Sequence, residues 1–183
     1  MEVWDAITQR RTVRVFTEPV PMPLLRRLIW AGSRAPSASN SQPWEFIIIE
    51  NRDVIDQIAD LKGTMEGMRG GKRRIAIEKN IYNNSSIVAV CNKKGIFGGP
   101  GSWMAAENIA LAARGEGIGC VMSVFGGEYK EKIEQLLNIP DTHELTTVMC
   151  IGTPEEWPEK RLVGEDRPDF SWLHYETFGN QPE

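Results

Sequence analysis

A three-layer fold of the α/β or α+β class is predicted by three features of the 183-residue sequence. Four short apolar runs have the length and composition of buried strands: Trp44–Ile49, Ile87–Cys91, Cys120–Val124 and Leu145–Ile151. Segments with apolar residues at helical spacing alternate with them. The N-terminal stretch and the chain beyond Gly152 follow neither period. Helices that alternate with buried strands find their partner surfaces on the two faces of one sheet.

Taken in order, Val3, Trp4 and Ile7 recur at helical spacing and predict a short amphipathic helix ending near Gln9. Val13–Phe16 then reads as extended, and Pro19, Pro21 and Pro23 delay the next helix. Pro23 suits a first helical turn, with Leu24, Leu25, Leu28, Ile29 and Ala31 on one face. The run Trp44–Ile49 is apolar enough to predict burial on both faces of a sheet interior. Asn51–Leu61 reads as a helix through Val54, Ile55, Ile58 and Leu61. From Gly63 to Asn84 four glycines and Lys72-Arg73-Arg74 weaken the pattern, which fits a mobile lid or a solvated connector equally.

Ile87–Cys91 is a second strand, and Trp103–Arg114 is an Ala-rich helix. Gly115-Glu116-Gly117-Ile118-Gly119 follows that helix instead of opening one, so it reads as a cap and turn, not a dinucleotide fingerprint. Gly95–Gly101 lacks the Lys-Ser/Thr sequel of a P-loop. Cys120–Val124 is extended, Glu128–Leu137 helical, and Leu145–Ile151 the fourth strand. Pro154, Pro158 and Pro168 mark residues 153–183 as an extended tail with little core of its own, within a single domain spanning 1–183.

Composition narrows the function classes. Hydrophobic residues make up 41% and charged residues 25%, and the formal net charge is −4, so nucleic-acid binding has no electrostatic support. The three cysteines have no C-x-x-C spacing and lie in apolar segments, as free thiols of a reducing compartment do. With no signal peptide and no membrane-length apolar run, a cytoplasmic location is expected. His143 and His174 have no second ligand at metal spacing, so no metal site is expected.

Two stretches carry chemistry. Gln9-Arg10-Arg11-Thr12-Val13-Arg14-Val15-Phe16 gathers three guanidinium groups and a hydroxyl, a set matched to phosphate and to carbonyl-rich ring edges. Ala35-Pro36-Ser37-Ala38-Ser39-Asn40-Ser41-Gln42-Pro43-Trp44 offers hydroxyl and amide groups but nothing that ionises, which suits holding a neutral polar ring edge or a sugar-like chain. With both motifs in this order, the chain resembles the nitroreductase family of FMN-dependent oxidoreductases, from about Val3 to Gly179.

The resemblance implies an α+β, three-layer α/β/α fold. A mixed central sheet would be flanked by helices, in an intertwined homodimer whose C-terminal tail crosses to the partner. It implies that Arg10, Arg11 and Thr12 hold the FMN phosphate and ribityl chain. Arg14 would lie at the pyrimidine end of the flavin, where a cation stabilises the charge of the reduced ring. Pro36, Ser37, Asn40 and Gln42 would come from the partner subunit. Ser123, Val124 and Gly126 would pass the flavin N5, although the family's Pro and Glu are absent there. Arg167 would return to the phosphate, and a mid-chain base would be one of Lys72, Arg73, Arg74 or Lys79.

The implied activity is transfer of hydride from NADH or NADPH, through FMN, to a small electron-poor acceptor such as a nitroaromatic or quinone. No side chain acts as nucleophile or other catalytic residue. A reductive dehalogenase-type flavoenzyme, a non-catalytic flavin-binding or redox-sensing protein, and a dimer binding some other anion are the alternatives. The reduced length of the mid-chain lid leaves substrate choice open.

Overall fold

The structure, a computed structural model, describes residues 1–95, 97–159 and 172–180, with the side chains of residues 68–74 outside that description. In chain order the elements are α1 (Val3–Gln9), β1 (Phe16–Pro19), α2 (Met22–Gly32), a 3-10 turn (Ala38–Asn40), β2 (Trp44–Ile49), α3 (Arg52–Asn83), β3 (Ser86–Lys93), α4 (Gly98–Gly115), β4 (Gly119–Ser123), α5 (Gly127–Leu136) and β5 (His143–Pro154).

β5 is the centre of the sheet. β3 pairs along it from Ser86↔Ile151 to Lys93↔His143, and β2 pairs outside β3. β4 joins β5 from Gly119↔Gly152 to Ser123↔Val148, and β1 joins its last residues. All these pairings are antiparallel. Among the described residues the parallel component of the expected mixed sheet is a single bridge, Thr12↔Cys120.

The strand period of two divides the core into two layers. Ile87, Ala89, Cys91, Val148 and Cys150 point to one face, where α3 and α5 supply Ile58, Ile81, Tyr82 and Ile133. Val88, Val90, Met149 and Ile151 point to the other, against Leu25 and Leu28 of α2 and Ile109, Ala110 and Ala113 of α4. This is the expected α+β arrangement of helix, sheet and helix.

Two expectations are corrected. Among the described residues β2 is an edge strand with a half-buried middle, because it pairs only with β3 there and an antiparallel edge does not need cover on both faces. The stretch after α1 is non-helical as expected and enters a strand at Phe16, with Thr12 and Val13 engaged with Cys120. α1 forms over the expected residues, with Val3, Trp4 and Ile7 exposed and Ala6 buried.

The second correction concerns the stretch from Gly63, which is helical as far as Asn83. A straight helix of the length of α3 would span about 48 Å, yet Arg52 Nη1 donates to the carbonyl of Asn83 at 3.3 Å and Lys79 pairs with Asp60. The span therefore doubles back as two antiparallel arms. A Cβ on Gly63 would sit 2.9 Å from Ile75 Cα, so the absent side chain is what lets the arms touch. The far arm ends in buried Ile81 and Tyr82, which explains why a polar, glycine-bearing stretch holds its helical form.

The chain beyond β5 is also packed as far as it is described at that point. Glu155 N donates to Val15 O at 3.1 Å, and Arg114 lies 3.8 Å above the Trp157 ring. The expected Arg167-Pro168 element lies outside the described residues. Among the described residues no helix is long and apolar enough to cross a membrane.

Cys91, Cys120 and Cys150 are free and buried. Burial pushes the Cys91 and Cys120 thiols up to about 12 and that of Cys150 higher still. The thiolate is the reactive form, so these residues are inert in the folded state. Ellman's reagent at pH 8 is expected to find almost no reactive thiol in native protein and three per chain in guanidinium; fast native labelling would contradict this burial.

Candidate active site

The site is a cavity of about 650 Å³ between the two arms of α3 and the end of β4. This volume lies within the range of small-molecule and cofactor pockets. Arg14 enters it from the N-terminal stretch. Val121, Met122, Ser123, Val124 and Gly126 form one wall, and Lys62, Met65, Glu66, Glu78 and Ile81 of α3 form another, with Tyr129 of α5 at the side.

The first motif reaches this cavity because it runs beside β4. Val13 is buried, its N–H donates to Cys120 O at 3.0 Å, and Thr12 bridges Cys120 in parallel. Continuing that register by two residues sets Arg14 beside Met122, and both line the cavity. Arg11 Nη1 donates to the carbonyls of Thr8 (2.9 Å) and Arg10 (2.6 Å), closing the last turn of α1. Arg10 Nε lies 3.1 Å from Glu107 Oε1 on α4. Among the described residues that contact engages Arg10 through one nitrogen and leaves its terminal amino groups for a second anion.

Of the twelve expected site residues, Arg14, Ser123, Val124 and Gly126 meet in the cavity, with Arg10, Arg11 and Thr12 immediately upstream. Pro36, Ser37, Asn40 and Gln42 do not line it. Their loop lies against α4, where a Cβ on Gly101 would come 3.0 Å from Pro43 Cγ and 3.5 Å from Ser37 Cβ. The loop is nonetheless shaped: Gln42 N donates to Ser37 Oγ at 3.0 Å, and Ser39, Asn40 and Gln42 all have positive φ. Such a conformation costs of order 1–3 kcal/mol per residue and is characteristic of ligand-holding segments. Arg167 lies outside the described residues.

Of the four candidates for a mid-chain base, one is placed away from the cavity and three lie outside the described side chains. Lys79 is on the outer surface with Asp60, whereas the side chains of Lys72, Arg73 and Arg74 are not described. Among the described residues, Lys62 is the cation of α3 that lines the cavity. It is buried, with Nζ 2.9 Å from Glu66 Oε1 and 3.1 Å from Val124 O, and 5.3 Å from the centre of the Phe125 ring. Lys62, Met65 and Glu66 stand at i, i+3 and i+4, a helical signal that the neighbouring glycines obscured.

The nitroreductase family's sequence profile matches residues 7–72 and 101–153, which is most of the chain and includes Arg10–Arg14, the 36–42 loop and the 123–126 turn. The chain belongs to the nitroreductase family. A Methanothermobacter thermautotrophicus protein, named provisionally as an NADH dehydrogenase/NAD(P)H nitroreductase, is 30% identical over 91% of this chain and 85% of its own. The iodotyrosine deiodinase of Thermotoga neapolitana is 26% identical over 84% of this chain and 89% of its own. Among solved structures, an iodotyrosine deiodinase bound to FMN and 3-iodo-L-tyrosine superposes with a TM-score of 0.74 at 22% identity, over 91% of this chain and 100% of the other. That last likeness shows a shared nitroreductase-like fold.

Proposed function

We propose that this nitroreductase-family chain is an FMN-dependent oxidoreductase, active as a homodimer. It passes hydride from NADH or NADPH to a small electron-poor acceptor such as a nitroaromatic or quinone. The observation that carries this reading is the convergence of Arg14, from the first motif, with Ser123, Val124 and Gly126 in one cavity. The lining fits a flavin: a cation and a hydroxyl for the ring's polar edge, Met65, Ile81 and Val121 for its apolar faces, and a run of backbone at one side. Bound FMN would supply the two-electron chemistry that connects nicotinamide to acceptor.

The chain's own contribution is position, charge and exclusion of water. Arg10, Arg11 and Thr12 would take the phosphate and ribityl chain, joined by Arg167. Arg14 would favour the reduced, more negative ring by its charge. The 36–42 loop, separate from the cavity in one chain, would be lent by a second copy. An exposed apolar surface supports such a dimer: Trp4 is 78% exposed and Trp30 66%, with Val3, Ile7, Trp103 and Met104 also open on α1 and α4. An apolar surface of this composition marks a protein contact.

An absorption spectrum of purified protein with added FMN, before and after anaerobic NADH or NADPH, tests this reading. Yellow protein that bleaches with one donor is expected. Protein that takes up no FMN would sink the proposal, and bound FMN that neither donor reduces would turn it into a binding or sensing module. A monomeric mass with FMN still bound would remove the dimer. Because the sequence relatives include an iodotyrosine deiodinase, a halogenated aromatic belongs beside nitroaromatics and quinones among the test acceptors.

A further inference from the structure

The turn that leaves β4 is held by its carbonyl groups from two directions. Thr147 of β5, fully buried, donates from Oγ1 to the carbonyl of Ser123 at 3.1 Å. Lys62 of α3 donates from Nζ to the next carbonyl, that of Val124, at 3.1 Å. Neither contact belongs to the regular strand ladder. The lysine is an expensive choice for this position: a buried ammonium needs compensation, which Glu66 gives at 2.9 Å and the Phe125 ring supplements. A mere packing role is open to any apolar side chain at less cost.

What these bonds control follows from the planar trans peptide, whose N–H points opposite to its C=O. Thr147 draws the Ser123 carbonyl toward β5, so the amide of Val124 points to the other edge of β4. That is the edge along which Thr12 and Val13 run toward Arg14. Lys62 fixes the carbonyl of Val124 and with it the direction of the Phe125 amide. Ser123, Val124 and Gly126 all line the cavity. The two donors thus set the directions of consecutive amides in its wall.

We infer that Lys62 and Thr147 are positioning residues that act through the Ser123–Phe125 backbone to aim its amide groups at the reacting edge of the bound flavin. This rests on the flavin reading above. Lys62 works through Val124 and couples the hairpin of α3 to the chemistry, so a displacement of that helix is transmitted to the amide without touching the flavin directly. Thr147 makes the matching constraint from the sheet and carries no charge.

The test uses FMN-loaded wild-type protein with Lys62→Met, Lys62→Arg and Thr147→Val. Lys62→Met keeps the apolar stem and Thr147→Val the shape, so both are expected to fold, which a melting curve checks. Hydrogen exchange over residues 123–126 in apoprotein should rise in Lys62→Met and Thr147→Val. In loaded protein, flavin reduction at saturating nicotinamide should slow roughly tenfold in Lys62→Met, the scale of one lost charge-assisted hydrogen bond. The flavin midpoint potential should fall and KM should change less than about threefold, the pattern of an interaction felt in the reaction and not in nicotinamide binding.

Lys62→Arg should recover most of the rate, and Thr147→Val should slow it in the same direction with no charge altered. Wild-type potentials and rates in folded, loaded Lys62→Met and Thr147→Val would overturn the inference. So would a change in Lys62→Met alone, since charge at a distance then suffices. Wild-type protein that takes up no FMN would instead remove the functional reading on which the inference stands.

Discussion

Arg14→Ala is expected to weaken FMN binding roughly ten- to a hundredfold, the scale of a lost charge-assisted hydrogen bond. It should also slow reduction of whatever FMN remains bound. Among the described residues Arg14 makes no ion pair or hydrogen bond, and its side chain is exposed at the mouth of the cavity. Truncation therefore leaves no partner orphaned and no void in the core, so melting temperature should stay near that of the wild type. The separation is diagnostic. A residue kept for stability would shift the melt, whereas one kept for the ring's charge shifts binding and reduction alone. Arg14→Lys should recover part of the affinity, because it restores the charge without the planar fork. Titration of apoprotein with FMN, followed by anaerobic stopped-flow reduction, gives both values. Wild-type affinity together with a wild-type reduction rate in Arg14→Ala would exclude Arg14 from the flavin site.

How much of this was legible in the sequence depended on whether an element announces itself locally. The central strands did, because Ile87–Cys91 and Leu145–Ile151 are buried on both faces by α2 and α4 on one side and α3 and α5 on the other. Arg14 and Ser123 were visible as motif positions, but their meeting depends on Val13 lying against β4, a contact between residues more than a hundred positions apart. The doubled-back α3 was not legible. Its glycines, which read as breakers, serve the approach of Gly63 to Ile75, and a propensity argument has no means of foreseeing a partner surface. Lys62 was hidden for the same reason: it lies one residue beyond the point where the apolar period fades, so its burial becomes visible only once Val124 and Phe125 are brought over it. The helix α1 was legible, but the direction of its apolar stripe was not. Val3, Trp4 and Ile7 have the spacing of a core-facing stripe, and periodicity alone does not say whether the surface it meets belongs to the same chain.

Gly119→Ala should damage fold and site together. Gly119 opens β4, and a Cβ there would lie 2.7 Å from both Cβ and Cγ2 of Val13, closer than real side-chain atoms approach. Val13 is almost wholly buried and its N–H is tied to Cys120 O, so it has little room to retreat. The strain can be relieved only by lifting the 12–14 segment from β4, which moves Arg14 out of the cavity wall. Overpacking of this kind costs about 1–3 kcal/mol, and a chain of this size loses roughly 2–4 °C of melting temperature per kcal/mol. A drop of roughly 3–10 °C is therefore expected, with FMN affinity reduced at least tenfold even at temperatures where the variant is fully folded. Gly99→Ala, on α4 with nothing within 4 Å of its added Cβ, is the matched control and should be neutral or slightly stabilising. If Gly119→Ala melted and bound FMN like the wild type, the contact between Val13 and β4 would not be what delivers Arg14. If it melted lower but bound FMN normally, the contact would serve the fold without setting the site. Loss of both, with Gly99→Ala unaffected, ties the position of the arginine to the one place on β4 where no side chain fits.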